Sequence, residues 1–358
     1  MNKNIVFIIN NVYVNGGIPR ITLLLIENLI KTGKYNIALV SLSKSLEKSY
    51  YEIPEQCRVI NLSLHTFSVR KHTLKAAREL HCLFPSDFDG TFVVADVGHS
   101  IPAWLGLRHC MKAKFISWSH TNFFNGSRWG FSGWGKRLAV KKFDYLVALT
   151  KEDKGYYDKI LHAANVVQIY NPINGGVVKS PYAVESKKII SCGRLDPVKG
   201  FDLLIGVAKK VFSQVEGWTW DIYGDGAEKE SLEEKIKQYD LIGKVNLKGF
   251  RKDILSLYKE YAFNVFTSRG EGCPIAMIEA QSAGLPIISF DFKCGPKDLI
   301  TDGENGFIVA NWDLDEMADR ILKLIEDKEL RYKFAANADM NLGELKMPYV
   351  LEQWNKIL

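Results

Sequence analysis

Short apolar runs alternate with amphipathic stretches along almost the whole chain. Runs rich in branched and aromatic residues predict strands at 5–9, 37–42, 92–97, 114–118, 145–149 and 166–170. Helix-length amphipathic segments fall between them, at 18–32, 73–84, 134–142 and 151–161. A stretch with two prolines, a Gly-Gly pair and little apolar content then runs from Asn171 to Ser186 and reads as a linker. Beyond it the alternation restarts, with strands at 188–192, 219–223, 245–247, 262–267, 285–290 and 307–309. Helices are expected at 201–212, 227–239, 253–261, 274–283, 315–325 and 330–336. Apolar strands separated by helices build a parallel sheet covered on both faces. Two such halves, 1–172 and 188–340 joined by a linker over 173–187, predict two doubly wound α/β domains. A cleft between them would be a preferred place for a ligand. The C-terminal tail, 341–358, is expected to pack back on the first half.

The length of 358 residues agrees with two cores. An apolar share of 47% and a charged share of 25% exclude a disordered chain, a collagen and a coiled coil. No apolar run approaches the roughly 18–20 residues of a membrane span. The first apolar run, 5–9, is too short for a signal peptide, so a cytoplasmic protein is expected. Six scattered cysteines without a CxxC read as free thiols. The net charge of +6 is too mild to argue for nucleic acid, and it suits an anionic surface or phosphorylated ligands.

Three loops seek anions. After the first strand comes Asn15-Gly16-Gly17-Ile18-Pro19-Arg20, where glycines would expose backbone amides at a helix start; a plain strand-to-helix turn would look the same. It is not a dinucleotide fingerprint, since no GxGxxG and no acidic end to a second strand follow. The second loop is Gly193-Arg194-Leu195-Asp196-Pro197-Val198-Lys199-Gly200, with a guanidinium and an ammonium suited to a diphosphate, although two nearby cations are common on surfaces. The third is Arg269-Gly270-Glu271-Gly272-Cys273-Pro274, leading into a helix that carries Glu279 among apolar neighbours. Glu279 could be a solvated helix position, but a ligand with hydroxyl groups explains both acids better, because carboxylates accept from sugar and ribose hydroxyls.

These residues resemble the retaining GT-B glycosyltransferases of family 4. The match rests on the Glu271/Glu279 spacing, on Gly193-Arg194-Leu195 with Lys199-Gly200, and on Tyr223-Gly224-Asp225-Gly226. It is extended by Leu247-Lys248-Gly249-Phe250 and Asp302-Gly303-Glu304-Asn305-Gly306-Phe307. The resemblance implies a GT-B fold: two Rossmann-like domains, a donor domain at 188–340 and an acceptor domain at 1–172. It implies that Arg194 and Lys199 hold the donor diphosphate, Glu279 the ribose and Glu271 the transferred sugar. Gly249 and Phe250 would meet the base, Gly16 and Gly17 would approach from the acceptor half, and His120 would face the donor sugar. Gly193, Gly272, Cys273 and Pro274 would complete the donor-binding set. In Lys293-Cys294-Gly295-Pro296-Lys297-Asp298 the chain departs from the family pattern, which leaves the roles of Lys293, Lys297 and Asp298 open.

Asp87-Phe88-Asp89 and Asp313-Leu314-Asp315 are DxD strings, but their positions suit turns and a helix cap, so no metal and no cofactor are expected. Cationic side chains and helix N-termini can carry the leaving-group charge instead. A basic, aromatic stretch from Gly126 to Phe143 nominates Trp129, Trp134, Lys136 and Arg137 as membrane-facing, on the inner face of the cytoplasmic membrane. The expected reaction moves a hexose or N-acetylhexosamine from a nucleotide sugar, UDP-linked by family prior, to a lipid-linked glycan or lipopolysaccharide-type or capsule-type acceptor with retention. The rivals are a sugar-nucleotide epimerase on the same plan, a non-catalytic partner subunit and a nicotinamide dehydrogenase, the last lacking its fingerprint.

Overall fold

The computed structural model describes residues 2–127, 129–173 and 182–358. Residues 174–181 of the expected linker, and Arg128 of the aromatic stretch, lie outside the described residues. The chain divides into two units, Met1–Pro172 with Met347–Leu358, and Ile173–Lys346.

In the first unit the strands are β1 (Lys3–Ile9), β2 (Tyr35–Ser41), β3 (Arg58–Asn61), β4 (Thr91–Ala95), β5 (Lys114–Trp118), β6 (Tyr145–Ala148) and β7 (Val166–Gln168). Its helices are α1 (Gly17–Lys31), α2 (Val69–Leu83), α3 (Ser100–Leu107), α4 (Phe131–Lys142) and α5 (Lys151–Leu161). All the strands are parallel, in the order β3-β2-β1-β4-β5-β6-β7. Their continuous apolar runs follow from burial on both faces: Val6, Ile8, Val40, Phe92, Val94 and Ala148 form a core with Leu80 of α2 and Ala139 of α4.

In the second unit the strands are β8 (Lys188–Cys192), β9 (Thr219–Tyr223), β10 (Val245–Gly249), β11 (Phe263–Phe266), β12 (Ile287–Phe290) and β13 (Gly306–Val309). The helices are α6 (Phe201–Phe212), α7 (Lys229–Gln238), α8 (Ile254–Leu257), α9 (Ile275–Ser282), α10 (Pro296–Leu299), α11 (Leu314–Glu326) and α12 (Lys328–Ala336). The sheet is again parallel, ordered β10-β9-β8-β11-β12-β13.

The last helix, α13 (Met347–Ile357), belongs to the first unit. Its Trp354 meets Trp118 of β5 edge-on at 5.0 Å, Tyr35 donates to Asn355 at 2.6 Å, and Lys114 donates to the Ile357 carbonyl at 3.1 Å.

Besides the single turn of α10, three elements escaped the sequence pattern. The edge strand β3 is four residues long and only half buried. Helix α3 is apolar nearly all round, with Ser100, Pro102, Ala103, Gly106 and Leu107 buried, so it has no polar stripe to betray its period. Helix α13 is amphipathic, with Val350, Trp354 and Ile357 buried, but it lies beyond the last segment given a helical reading. The strand expected to reach Val97 stops at Ala95, because Asp96 takes φ 92° and turns the chain. Among the described residues, no helix is long and apolar enough to cross a membrane.

Candidate functional site

Strand order reverses between β8 and β11, and loops leaving the carboxyl ends of two such strands diverge and open a crevice. The second and third loops of the sequence reading sit there. Asp196 accepts from the amides of Val198 and Lys199 at 3.1 and 3.3 Å, shaping a 3-10 turn that delivers Lys199. Gly200 follows with φ 67°, and a Cβ there would lie 2.1 Å from the Thr267 carbonyl oxygen. Only glycine lets the two loops approach so closely. Thr267 closes the seam by donating to the Gly200 carbonyl at 2.9 Å, and the Arg269 amide donates to Val198 at 2.7 Å.

Lys199 and Glu271 meet across this seam, with the ammonium 2.7 Å from the carboxylate and the side chains 21% and 11% exposed. Ser268 donates to the other Glu271 oxygen at 2.6 Å. Gly193 makes room for the lysine, since a Cβ there would sit 3.1 Å from its Cδ. Arg194 is 76% exposed and held by Asp196 at 2.5 Å, which keeps a second cation beside the first at the loop's outer face.

The Tyr223–Gly226 turn has a packing role. A Cβ on Gly224 would fall 1.8 Å from the Gly193 carbonyl oxygen, and one on Gly226 would fall 2.3 Å from that of Leu195. The Gly224 amide donates to Gly249 at 3.0 Å, so the loops after β8, β9 and β10 form one bonded row. Gly249 has φ 72° with open space around it, and Phe250 is half exposed at the end of that row.

Behind the seam, Pro274 caps α9, which carries Glu279 in a buried position. Burial pushes the Cys192 thiol up to about 12, with Tyr258 and Lys199 opposing and Glu279 adding to the rise. Burial also pushes Cys273 up, with help from Asp298 and Glu271. Gly272 is half-buried and Cys273 buried in the same turn. Gly295 abuts Pro274, so the loop after β12 joins the cluster, while Lys297 is held by Asp291 at 2.7 Å.

In the first unit the outcome is mixed. Gly16 has φ 172°, ordinary extended backbone, and Gly17 is not left-handed either, so neither glycine is required for a tight turn. A Cβ on Gly16 would meet only Pro19 at 3.6 Å, leaving the start of α1 uncrowded. His120 follows β5 with its ring 4.3 Å from that of Trp118. Burial lowers its pKa to about 4; the Asp96 charge opposes this and His99 adds to it. Asp96, which the sequence reading did not nominate, stands at the β4 end within electrostatic reach of His120. Its Oδ1 accepts from the Gly98 amide at 2.8 Å. The signal available was an aspartate closing an apolar run just before Gly98-His99. His99 is buried and shares its Nδ1 with the Ala95 carbonyl at 2.9 Å.

The membrane-facing set requires one correction. Trp129 and Trp134 are exposed, and Arg137 lies over both rings at 5.1 and 6.0 Å. Lys136 is 4% exposed and points inward, donating to the carbonyls of Asn122, Phe123 and Asn125 at 3.4, 2.7 and 2.9 Å. A buried ammonium must be fully paired, and here the loop after His120 wraps around it. Asp313 caps α11 through the Glu316 amide at 2.9 Å, and Asp87 lies in a turn, in line with the reading of both DxD strings. All six cysteines are free.

Two Rossmann-like units with these loops at the carboxyl edges define the GT-B class of architecture. Residues 178–340, just under half of the chain, match the family model for glycosyl transferases group 1. An uncharacterized glycosyltransferase of Haemophilus influenzae is 29% identical over 99% of this chain and 100% of its own length. The amylovoran biosynthesis glycosyltransferase AmsD of Erwinia amylovora is 27% identical over 99% of both chains. Among solved structures, a mutant of Staphylococcus aureus TarM in complex with fondaparinux, alpha-GlcNAc-glycerol and UDP superposes with a TM-score of 0.84 at 18% identity, covering 99% of both chains.

Proposed function

We propose that the protein is a retaining glycosyltransferase that moves a hexose or N-acetylhexosamine from a UDP-sugar to a lipid-linked glycan or related surface-polysaccharide acceptor. The observation that carries this reading is the Lys199–Glu271 contact at the β8/β11 reversal, inside the stretch that matches the glycosyl transferases group 1 model. A diphosphate takes Lys199 and Arg194 as counter-charges and leaves with its charge stabilised by them. Glu271 then accepts from the sugar hydroxyls, and Glu279 accepts from the ribose. The base lies against Gly249 and Phe250, and the turn Gly272-Cys273-Pro274 offers its backbone to the donor.

His120, neutral near pH 7 because burial lowers its pKa, gives or takes a hydrogen bond at the sugar without bringing a charge. The departing phosphate oxygen assists attack from the same face, so the anomeric configuration is kept. Arg194 and Lys199 do the work of a divalent ion, so turnover is expected to survive EDTA. The acceptor class is supported by the Erwinia relative's part in amylovoran biosynthesis and by the alpha-GlcNAc-glycerol on the TarM relative. Trp129, Trp134 and Arg137 rest on an anionic membrane in this reading, and replacing all three should reduce retention on anionic vesicles.

A panel of UDP- and GDP-sugars, followed for slow hydrolysis and then for transfer, tests the proposal. Hydrolysis of one UDP-sugar and an NMR-verified retained linkage are expected. An epimerised donor, an inverted product or loss of turnover in EDTA restored by Mn²⁺ would overturn the corresponding part.

A further inference from the structure

Beyond β13 the chain makes a feature that the reading above does not use. Trp312 takes φ 70°, the left-handed region that a bulky residue adopts at a cost, and it is 50% exposed. Asparagine would make the same turn with less strain and no apolar ring in water. The turn itself therefore gives no reason for a tryptophan here.

The ring is nonetheless held firmly. Phe290 lies 6.2 Å away, and the Arg269 guanidinium sits over it at 5.7 Å. Arg269 is itself fixed by a two-pronged pair with Asp202 at 2.8 and 2.7 Å and by the Pro197 carbonyl at 2.6 Å. Beside the ring is an open concavity of about 580 Å³, lined by Lys210, Asn311, Asp313 and Asp315 together with the tryptophan. Asn311 and Asp313 each use one side-chain atom on the fold, through the Asp291 carbonyl and the Glu316 amide. Each has an oxygen left to offer a ligand. Asp315 and Lys210 pair at 2.5 Å on the far wall.

A rigid aromatic face rimmed by carboxylate, amide and ammonium groups complements a ligand with apolar C–H faces and hydroxyl edges. We infer that Trp312 and its rim form a saccharide-binding site on the second unit, separate from the Lys199–Glu271 seam. Nucleobases and peptides share the stacking but not the need for a rim so rich in acceptors. The inference stands whether or not the chain transfers sugar, because it concerns binding alone.

The indole N–H signals of the eight tryptophans report on it by NMR, with that of Trp312 assigned through Trp312→Phe. The probes are glucose, N-acetylglucosamine and their α- and β-linked disaccharides, each with and without saturating UDP, and glycerol as a control. A saturable shift of the Trp312 signal in the millimolar range is expected, unchanged by UDP. In Trp312→Asn, which suits the turn, affinity followed instead through the backbone amides of Asn311 and Asp313 should weaken about tenfold or more, with an otherwise unchanged spectrum as the folding control. Binding of monosaccharides would mark a free-sugar site, and binding of disaccharides alone would mark a passing glycan chain; both uphold the inference. No saturable shift up to roughly 50 mM, an equal shift with glycerol, or unchanged affinity in Trp312→Asn would overturn it.

Discussion

The Lys199–Glu271 contact makes a prediction of opposite signs for its two partners. At 2.7 Å and an effective dielectric of about 20, the gross attraction is roughly 6 kcal/mol. Desolvation of two half-buried groups and their ordering cancel much of this, leaving about 1–3 kcal/mol. A diphosphate arriving at Lys199 must share the ammonium with Glu271 and tolerate its negative charge. Glu271→Gln removes both obstacles, so UDP affinity should stay level or tighten, by up to about tenfold. Lys199→Ala removes the phosphate's counter-charge and should weaken UDP about 10–100-fold. Calorimetric titration of both variants and of the double variant measures this directly. The double variant should behave like Lys199→Ala, since without the ammonium there is nothing for Glu271 to withhold. Sugar transfer should collapse in Glu271→Gln in spite of its intact UDP binding. Weakening of UDP by tenfold or more in Glu271→Gln, or native affinity in Lys199→Ala, would refute the reasoning.

Gly224→Ala should destabilise the second unit by about 3 kcal/mol or more, because its Cβ would fall 1.8 Å from a backbone oxygen that cannot yield; denaturant titration checks it. Lys136→Met should cost about 3–5 kcal/mol by stripping three carbonyls of their donor, whereas substitution of exposed Lys141 should be near neutral in the same titration. For His120 the folded pKa of about 4 lies below the ordinary 6.5, so the unfolded chain binds its proton first as pH falls. Stability present above pH 6.5 should drain away toward pH 4 by on the order of 3 kcal/mol, and His120→Asn should flatten that limb of a stability–pH curve.

The two sheets could be seen in the sequence because double burial writes unbroken apolar runs, and β5, β8, β9, α5 and α6 lie where the pattern places them. Spacing also located the seam, since loops after strands are set by chain order and Lys199 and Glu271 sit in two of them. What the sequence concealed is direction. Lys136 belongs to a run of surface-type residues, yet with Gly133 and Ala139 it follows a three-residue step onto the buried side of α4. The glycines at 224 and 226 stand in the sequence only as one block of a resemblance, whereas in the fold they permit close approach between turns and carbonyls. Asp96 went unseen because its position at the end of β4 matters only once β5 lies alongside with His120 beyond it.

The chain's return to its first unit has a consequence in time. Helix α13 supplies Trp354 beneath Trp118, and thus supports the strand from which His120 departs. A ribosome must make the whole intervening unit, about 170 residues, before that support exists, which at ~5–20 residues per second takes roughly 10–35 s. Throughout that interval the nascent first unit holds the Trp118 flank of its sheet bare. Its final consolidation thus awaits the making of the second unit, and the order of synthesis is not the order of completion.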